Sequence, residues 1–304
     1  MKNFLYEVNI GLSGKIKKLN PKWLYDFNGS KLFEEITRLE EYYVTRTEIE
    51  ILKKNKKEIA NLIGEKATVI EPGAGESKKI SIFLKSLKKP NSYVPSDISK
   101  KYIRKVGNKL KKKLPKIKVN PMVDDFTMRS KIDNKILKNK NIVIFFPGST
   151  IGNFDRKEAI KFLKNLKLKY NPKKLIIGVD LIKKKSVLLK AYNDKKGITA
   201  KFNINLLKRI NKELKGNFNI KSFKHTAIYN KNKNRIEMHL VSLKKQKIKI
   251  QDKYYKFKKG ETIHTESSHK YSPKSFSNLA NKSGWKVKKI WTDINRQFSV
   301  QYLI

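Results

Sequence analysis

The chain of 304 residues contains no cysteine. Disulfides, thiolate nucleophiles and cysteine-held metals are therefore excluded. Histidine is scarce too: His225, His239, His264 and His269 are the only four, none in HExxH-like spacing, so no metal site is expected. No apolar run reaches the ~20 residues that cross a bilayer. The opening "MKNFLYEVNIGLSGKIKKLN" also lacks the continuous apolar stretch of an export signal. The expectation is a cytoplasmic, globular, monomeric protein whose chemistry uses carboxylates, hydroxyls, amides and a bound cofactor.

Arginine is the other shortage, with only 8 of the 72 basic residues, although the net charge is +46. A charge this large favours phosphate polyanions through counterion release. Guanine and bidentate phosphate contacts favour arginine, however, and the lysines are spread over nearly every segment instead of forming one stripe interleaved with aromatics. We read them as solvated faces and weigh against nucleic-acid binding.

What is present is a rhythm. Residues 1 to 45 read as short helices and turns rich in aromatics. A helix is predicted through "TEIEILKKNKKEIANLIG", ending at Gly64. Short apolar runs closed by Gly, Pro, Asp or Ser follow: "ATVIEPG", "NSYVPSDIS", "KVNPMVDDF", "NIVIFFPGST" and "KLIIGVDLIK". Amphipathic lysine-rich segments separate them, which predicts a parallel, doubly wound α/β sheet. From about Lys183 the rhythm stops; helical segments and an antiparallel meander come next. "WKVKKIWTDINRQFSVQYLI" then reads as two closing strands, an antiparallel finish. Residues 46–182 with 271–304 are expected to form one domain, and 1–45 with 183–270 a second lobe.

The stretch "TVIEPGAGESKK" places a glycine turn after the first strand, the usual room for a nucleotide-like ligand. Lys78 stands where a dinucleotide loop wants its third glycine, which counts against NAD, and no Gly-Lys-Ser/Thr exists for a P-loop. S-adenosylmethionine demands less. It needs the turn at Gly73, an acid ending the second strand for the ribose hydroxyls (Asp97), and an acid-aromatic pair ending the third for adenine (Asp125 and Phe126). Ordinary turns with helix-capping acids remain the alternative for all of these.

The fourth strand end, "FFPGSTIGNF", crowds Gly148, Ser149, Thr150, Gly152 and Asn153 where an open sheet places its ligands, and Asn153 suits an amino acid's carboxylate and amine. A tight turn with an N-cap would explain it equally. In "EEYYVTRTE", one of Tyr42 and Tyr43 is expected in the core and the other at a wet edge. Glu266, among the hydroxyls of "ETIHTESSHKYS", could recognise an N–H donor or a cation, or pair with a surface lysine.

Taken together, "LFEEITRLEEYYVTRTE", "EPGAGESKK", "GSTIGNF", "AYND", "RIEMHL" and "TESSHKYSP" resemble, in order along nearly the whole chain, the histidine-specific Nα-methyltransferases of ergothioneine biosynthesis. That resemblance implies a class I S-adenosylmethionine-dependent methyltransferase (Rossmann-like) sheet with a second substrate-binding lobe, and L-histidine as substrate, methylated successively to trimethylhistidine (hercynine). It also implies cofactor contacts at Tyr25, Gly73, Lys79, Asp97, Asp125 and Phe126. Asn153 and Tyr192 would hold the substrate's carboxylate and amine, and so serve as the catalytic pair. Tyr42, Glu266 and Ser268 would read the imidazole, with Phe33 and Met238 lining the pocket and Gly148 beside the substrate. His269, inside a motif that often carries cysteine there, is the departure that bears on substrate preference.

Overall fold

The structure, a computed structural model, describes residues 2–75, 77–126 and 139–304. In chain order its strands are β1 (Lys17–Lys18), β2 (Thr68–Pro72), β3 (Ser92–Asp97), β4 (Lys118–Val119), β5 (Met122–Val123), β6 (Ile142–Phe146) and β7 (Lys174–Asp180). They continue with β8 (Phe223–Asn230), β9 (Arg235–Ser242), β10 (Gln246–Ile250), β11 (Lys253–Phe257), β12 (Thr262–His269), β13 (Val287–Thr292) and β14 (Phe298–Leu303). The chain divides into two compact units, Met1–Tyr43 with Lys183–His269, and Val44–Ile182 with Lys270–Ile304.

The Val44–Ile182/Lys270–Ile304 unit is built on one sheet of order β13-β14-β7-β6-β2-β3-β4, with β5 also on β3. Strands β2, β3, β6 and β7 run parallel, β14 lies antiparallel on β7, and β13 is antiparallel on β14. This order, with an antiparallel strand inserted near one edge, is the parallel sheet with an antiparallel finish expected from the sequence. The central strands are continuous apolar runs because helices cover both faces. β6 (Ile-Val-Ile-Phe-Phe) is buried at every residue. One core joins Ile70, Val94, Ile144, Phe146 and Val179 to Phe162, Leu166, Phe276 and Trp285.

Two predicted elements differ. The helix expected from Thr47 begins at Tyr43 and runs to Ile63. Gly64 closes it at φ +74°, a left-handed turn that glycine adopts without strain. The strand expected through "KVNPMVDDF" splits into the short β4 and β5. Pro121 lies between them and has no N–H to donate to a ladder.

The Met1–Tyr43/Lys183–His269 unit carries a four-stranded sheet of order β1-β12-β9-β8 and the separate hairpin β10–β11. β8, β9 and β12 form an antiparallel meander, whereas β1 joins β12 in parallel. Helix Ile198–Leu214 packs against β8 and against helix Phe27–Ile36, burying Phe202, Leu206 and Ile210. No helix among the described residues is long and apolar enough to cross a membrane.

Candidate active-site residues

Each unit gathers its own set of sequence-predicted residues. In the Val44–Ile182/Lys270–Ile304 unit they stand at the carboxyl ends of the parallel strands, where open α/β sheets place ligands. Gly73 follows β2 at φ +68°, and a Cβ there would stand 2.9 Å from the Phe126 ring, so the turn has room for glycine alone. The N–H of Ala74 donates to Ser96 O (2.9 Å), which ties the turn to the end of β3.

Asp97 ends β3. Its Oδ1 accepts the Ser99 N–H (2.7 Å), so part of the turn-and-cap alternative holds. Burial nonetheless pushes its carboxyl up to about 6, against the lowering effect of that N–H. In the pair Asp124-Asp125 the first is structural: Lys169 Nζ lies 2.5 Å from its Oδ2 and Tyr170 Oη donates to it at 3.4 Å. Asp125 and Phe126 are half-buried, and the Phe126 ring meets Phe146 (6.1 Å) and Phe162 (5.8 Å) edge-on.

The turn after β6 is strained on purpose. Gly148 has φ +79° and Ser149 follows at φ +57°, a left-handed conformation unusual for a residue with a side chain. The Ser149 hydroxyl accepts the Asp180 N–H of β7 (2.9 Å), and its carbonyl accepts the Gly152 N–H (2.8 Å), which holds it there. Residues Thr150–Asn153 then form one 3-10 turn that leaves Asn153 half-buried. The N-cap is Asp155, in a reciprocal capping box with Glu158, so Asn153 is not needed for that task.

One residue of this group was not singled out from sequence. Glu48 is 1% exposed, and its carboxylate accepts Lys79 Nζ (2.8 Å) and the Gly148 N–H (3.0 and 2.9 Å to its two oxygens). The available signal was an acid on a helical face otherwise made of Val44, Ile51 and Leu52, all buried. Beneath it Glu71 takes a hydrogen bond from Tyr93 Oη, and burial pushes its carboxyl up to about 7.

In the Met1–Tyr43/Lys183–His269 unit the predicted residues form one aromatic cluster. The Tyr25 ring meets Phe33 (5.5 Å) and Phe202 (5.3 Å), Phe33 meets Tyr42 (6.2 Å), and Tyr42 meets Tyr192 (6.1 Å). Phe202 was not predicted. Tyr42 and Tyr43 are both buried, which corrects the expectation of one wet edge; Tyr43 Oη accepts Lys183 Nζ (2.6 Å). Glu266 is 7% exposed and takes a hydrogen bond from Tyr25 Oη at 3.4 Å, so it is not the surface salt bridge that was its alternative. Burial first, then the Glu266 charge, raises the Tyr25 hydroxyl well above its ordinary value and keeps it a donor. Ser268, two residues along β12, accepts from Tyr192 Oη (2.8 Å), and Met238 on β9 is the register partner of Glu266.

A β-bulge sets this facing. His264 pairs with His239 and Glu266 with Met238, so Thr265 is one residue too many on β12. Its hydroxyl donates to Met238 O (3.1 Å), and His264 Nε2 lies 3.0 Å from Glu266 O and 3.1 Å from Ser267 Oγ. The His264 ring stacks on His239 at 5.1 Å. Burial and then the His239 charge push His264 down to about 4. No group of three or more His, Asp or Glu suited to a metal ion occurs among the described residues.

Residues 4–304 match the family described as "Histidine-specific methyltransferase, SAM-dependent". The chain is 34% identical to the Histidine N-alpha-methyltransferase of Mycolicibacterium smegmatis, over 98% of this chain and 94% of that protein. It is 34% identical to the protein of the same name from Mycobacterium tuberculosis, over 94% of this chain and 90% of that one. The Ergothioneine biosynthesis protein 1 of Neurospora crassa is 36% identical over 62% of this chain and 22% of its own length.

Proposed function

This chain belongs to the family of histidine-specific, S-adenosylmethionine-dependent methyltransferases, and on that premise we propose that it methylates the α-amine of free L-histidine, successively to trimethylhistidine, a step of ergothioneine biosynthesis. The observation that carries the substrate is Glu266, a buried carboxylate that accepts from the Tyr25 hydroxyl and stands two residues from Ser268 on β12, which suits an imidazole N–H. The Val44–Ile182/Lys270–Ile304 unit is the methyltransferase domain in this reading, and the other unit the substrate-binding lobe. The protein acts on a small molecule, not on nucleic acid, in the cytoplasm and as a monomer.

The residues present fit the cofactor. The turn at Gly73 is free of the Cβ that would fill it against Phe126, and carboxylates stand at the next two strand ends. Gly73, Lys79, Asp97, Asp125 and Phe126 would hold it, with Tyr25. Bound S-adenosylmethionine supplies the methyl group on a positive sulfonium, whose displacement asks for alignment and dryness instead of a covalent intermediate.

The chain's own residues then have three tasks. Asn153 and Tyr192 orient the carboxylate and amine and favour the neutral amine, since a free α-amine is largely protonated near pH 7. Glu266, with Tyr42 and Ser268, selects the imidazole. A substrate without that N–H leaves a buried carboxylate unsatisfied, at about 1–3 kcal/mol. Phe33 and Met238 exclude water.

The test is to incubate the protein with labelled S-adenosylmethionine and a panel of free amino acids and follow products by mass. Histidine should gain one, two and three methyl groups; failure to gain any overturns the reading.

A further inference from the structure

We propose that Glu48 is a positioning residue that locks Lys79 and the Gly148 turn to each other, so that two separate strand ends present one preformed surface to the cofactor. The proposal rests on the reading of Lys79 as a cofactor contact.

Glu48 is costly where it stands. A carboxylate on the apolar face of helix Tyr43–Ile63 is tolerated only when its lone pairs are filled. Its two oxygens accept one N–H from the turn after β6 and one ammonium from the helix after β2. The fold also keeps a slot for it. Gly178 on β7 has no side chain, and a Cβ there would overlap the Glu48 carboxylate. Gly148 is similarly constrained, since a Cβ would come within 3.2 Å of Lys79 Nζ. A carboxylate and an ammonium from two helices, a glycine of the turn after β6 and a glycine on β7 thus fit together.

The arrangement removes two freedoms. Lysine is a flexible stem that loses rotamer entropy when it engages a ligand, and pinning Nζ removes that loss beforehand. The Gly148 turn is left-handed at two successive residues, and the N–H that Glu48 accepts belongs to the first of them. Glu48 touches no substrate atom in this account; it acts through Lys79 and Gly148.

The experiment uses the full chain with S-adenosylhomocysteine as an unreactive probe in calorimetry. Glu48→Gln should raise its Kd tenfold or more, and Gly178→Ala, which leaves the acid in place but displaces it, should do the same. If Glu48 acts through the lysine, Lys79→Met should cost far less in the Glu48→Gln background than alone, the non-additivity of a coupled pair. Additive losses overturn the proposal. A second readout needs no ligand: Glu48→Gln should speed amide exchange over residues 148–152 tenfold or more in the free protein. Unchanged exchange overturns the proposal whatever the protein binds. Normal binding by Lys79→Met alone would instead remove the cofactor reading of that lysine, and the exchange result then decides the role of Glu48.

Discussion

The two units hold their candidate residues by different means. In the Val44–Ile182/Lys270–Ile304 unit the ties are buried ion pairs: Glu48 with Lys79, Asp124 with Lys169, and Asp180 with Lys270 at 2.6 Å, both of the last pair's side chains fully buried. In the Met1–Tyr43/Lys183–His269 unit they are rings, hydroxyls and a bulge. The difference follows from the sheets. Parallel strands end in turns that must be fastened one by one, and a charge fastens several donors at once. An antiparallel face is already rigid, so only the facing of its side chains needs setting, and one extra residue does that.

The ionic side breaks hardest. Lys270→Met leaves Asp180 buried without its lysine and should cost about 3–5 kcal/mol in chemical denaturation. A loss below about 1 kcal/mol would mean that these pairs do not hold the sheet ends.

The bulge answers to pH. His264, at about 4 in the folded chain against about 6.5 unfolded, is neutral when folded. The unfolded chain therefore takes up protons first as pH falls through 6.5, and stability is lost until about 4, by up to about 3 kcal/mol. His264→Gln removes that dependence, so wild type should lose its advantage over the variant between pH 7 and 4. Parallel curves would sink the assignment.

Glu266→Gln comes next. It should raise the KM for histidine by roughly ten- to a hundredfold while S-adenosylhomocysteine still binds as in wild type. Equal losses of both would erase the contrast between the units. The smallest effect belongs to Asp97. Its carboxyl is pushed up to about 6 by burial, and in the proposed cofactor role it would accept two ribose hydroxyls only when ionised. Cofactor Kd should therefore rise below pH 6 by no more than about tenfold per unit, and stay flat in Asp97→Asn.

Much of the sheet was legible because βα rhythm is written in short apolar runs. β2, β3, β6 and β7 fall within the predicted segments. Pro121 hid the break between β4 and β5, since a proline inside an apolar stretch does not say whether a strand bends or stops. Tyr42 and Tyr43 misled because adjacent aromatics suggest alternation, yet Tyr43 opens a helix while Tyr42 precedes it, and both lie inside. The candidate residues themselves were readable from motifs. Glu48 was not, because an acid in a lysine-rich helix looks solvated until its partners are known. Thr265 carried no signal either, since a bulge is a property of pairing, which only two strands together possess.

The strand β14 has a consequence for how the protein is made. Its partner β7 leaves the ribosome first, and the register Asp180 to Phe298 separates them by more than about a hundred residues, some ten seconds of synthesis. Through that interval the middle of the future sheet offers a bare, apolar edge to any passing strand. The nascent chain's exposure to aggregation is thus set by the length of the Lys183–His269 segment, and a shorter segment would shorten the wait.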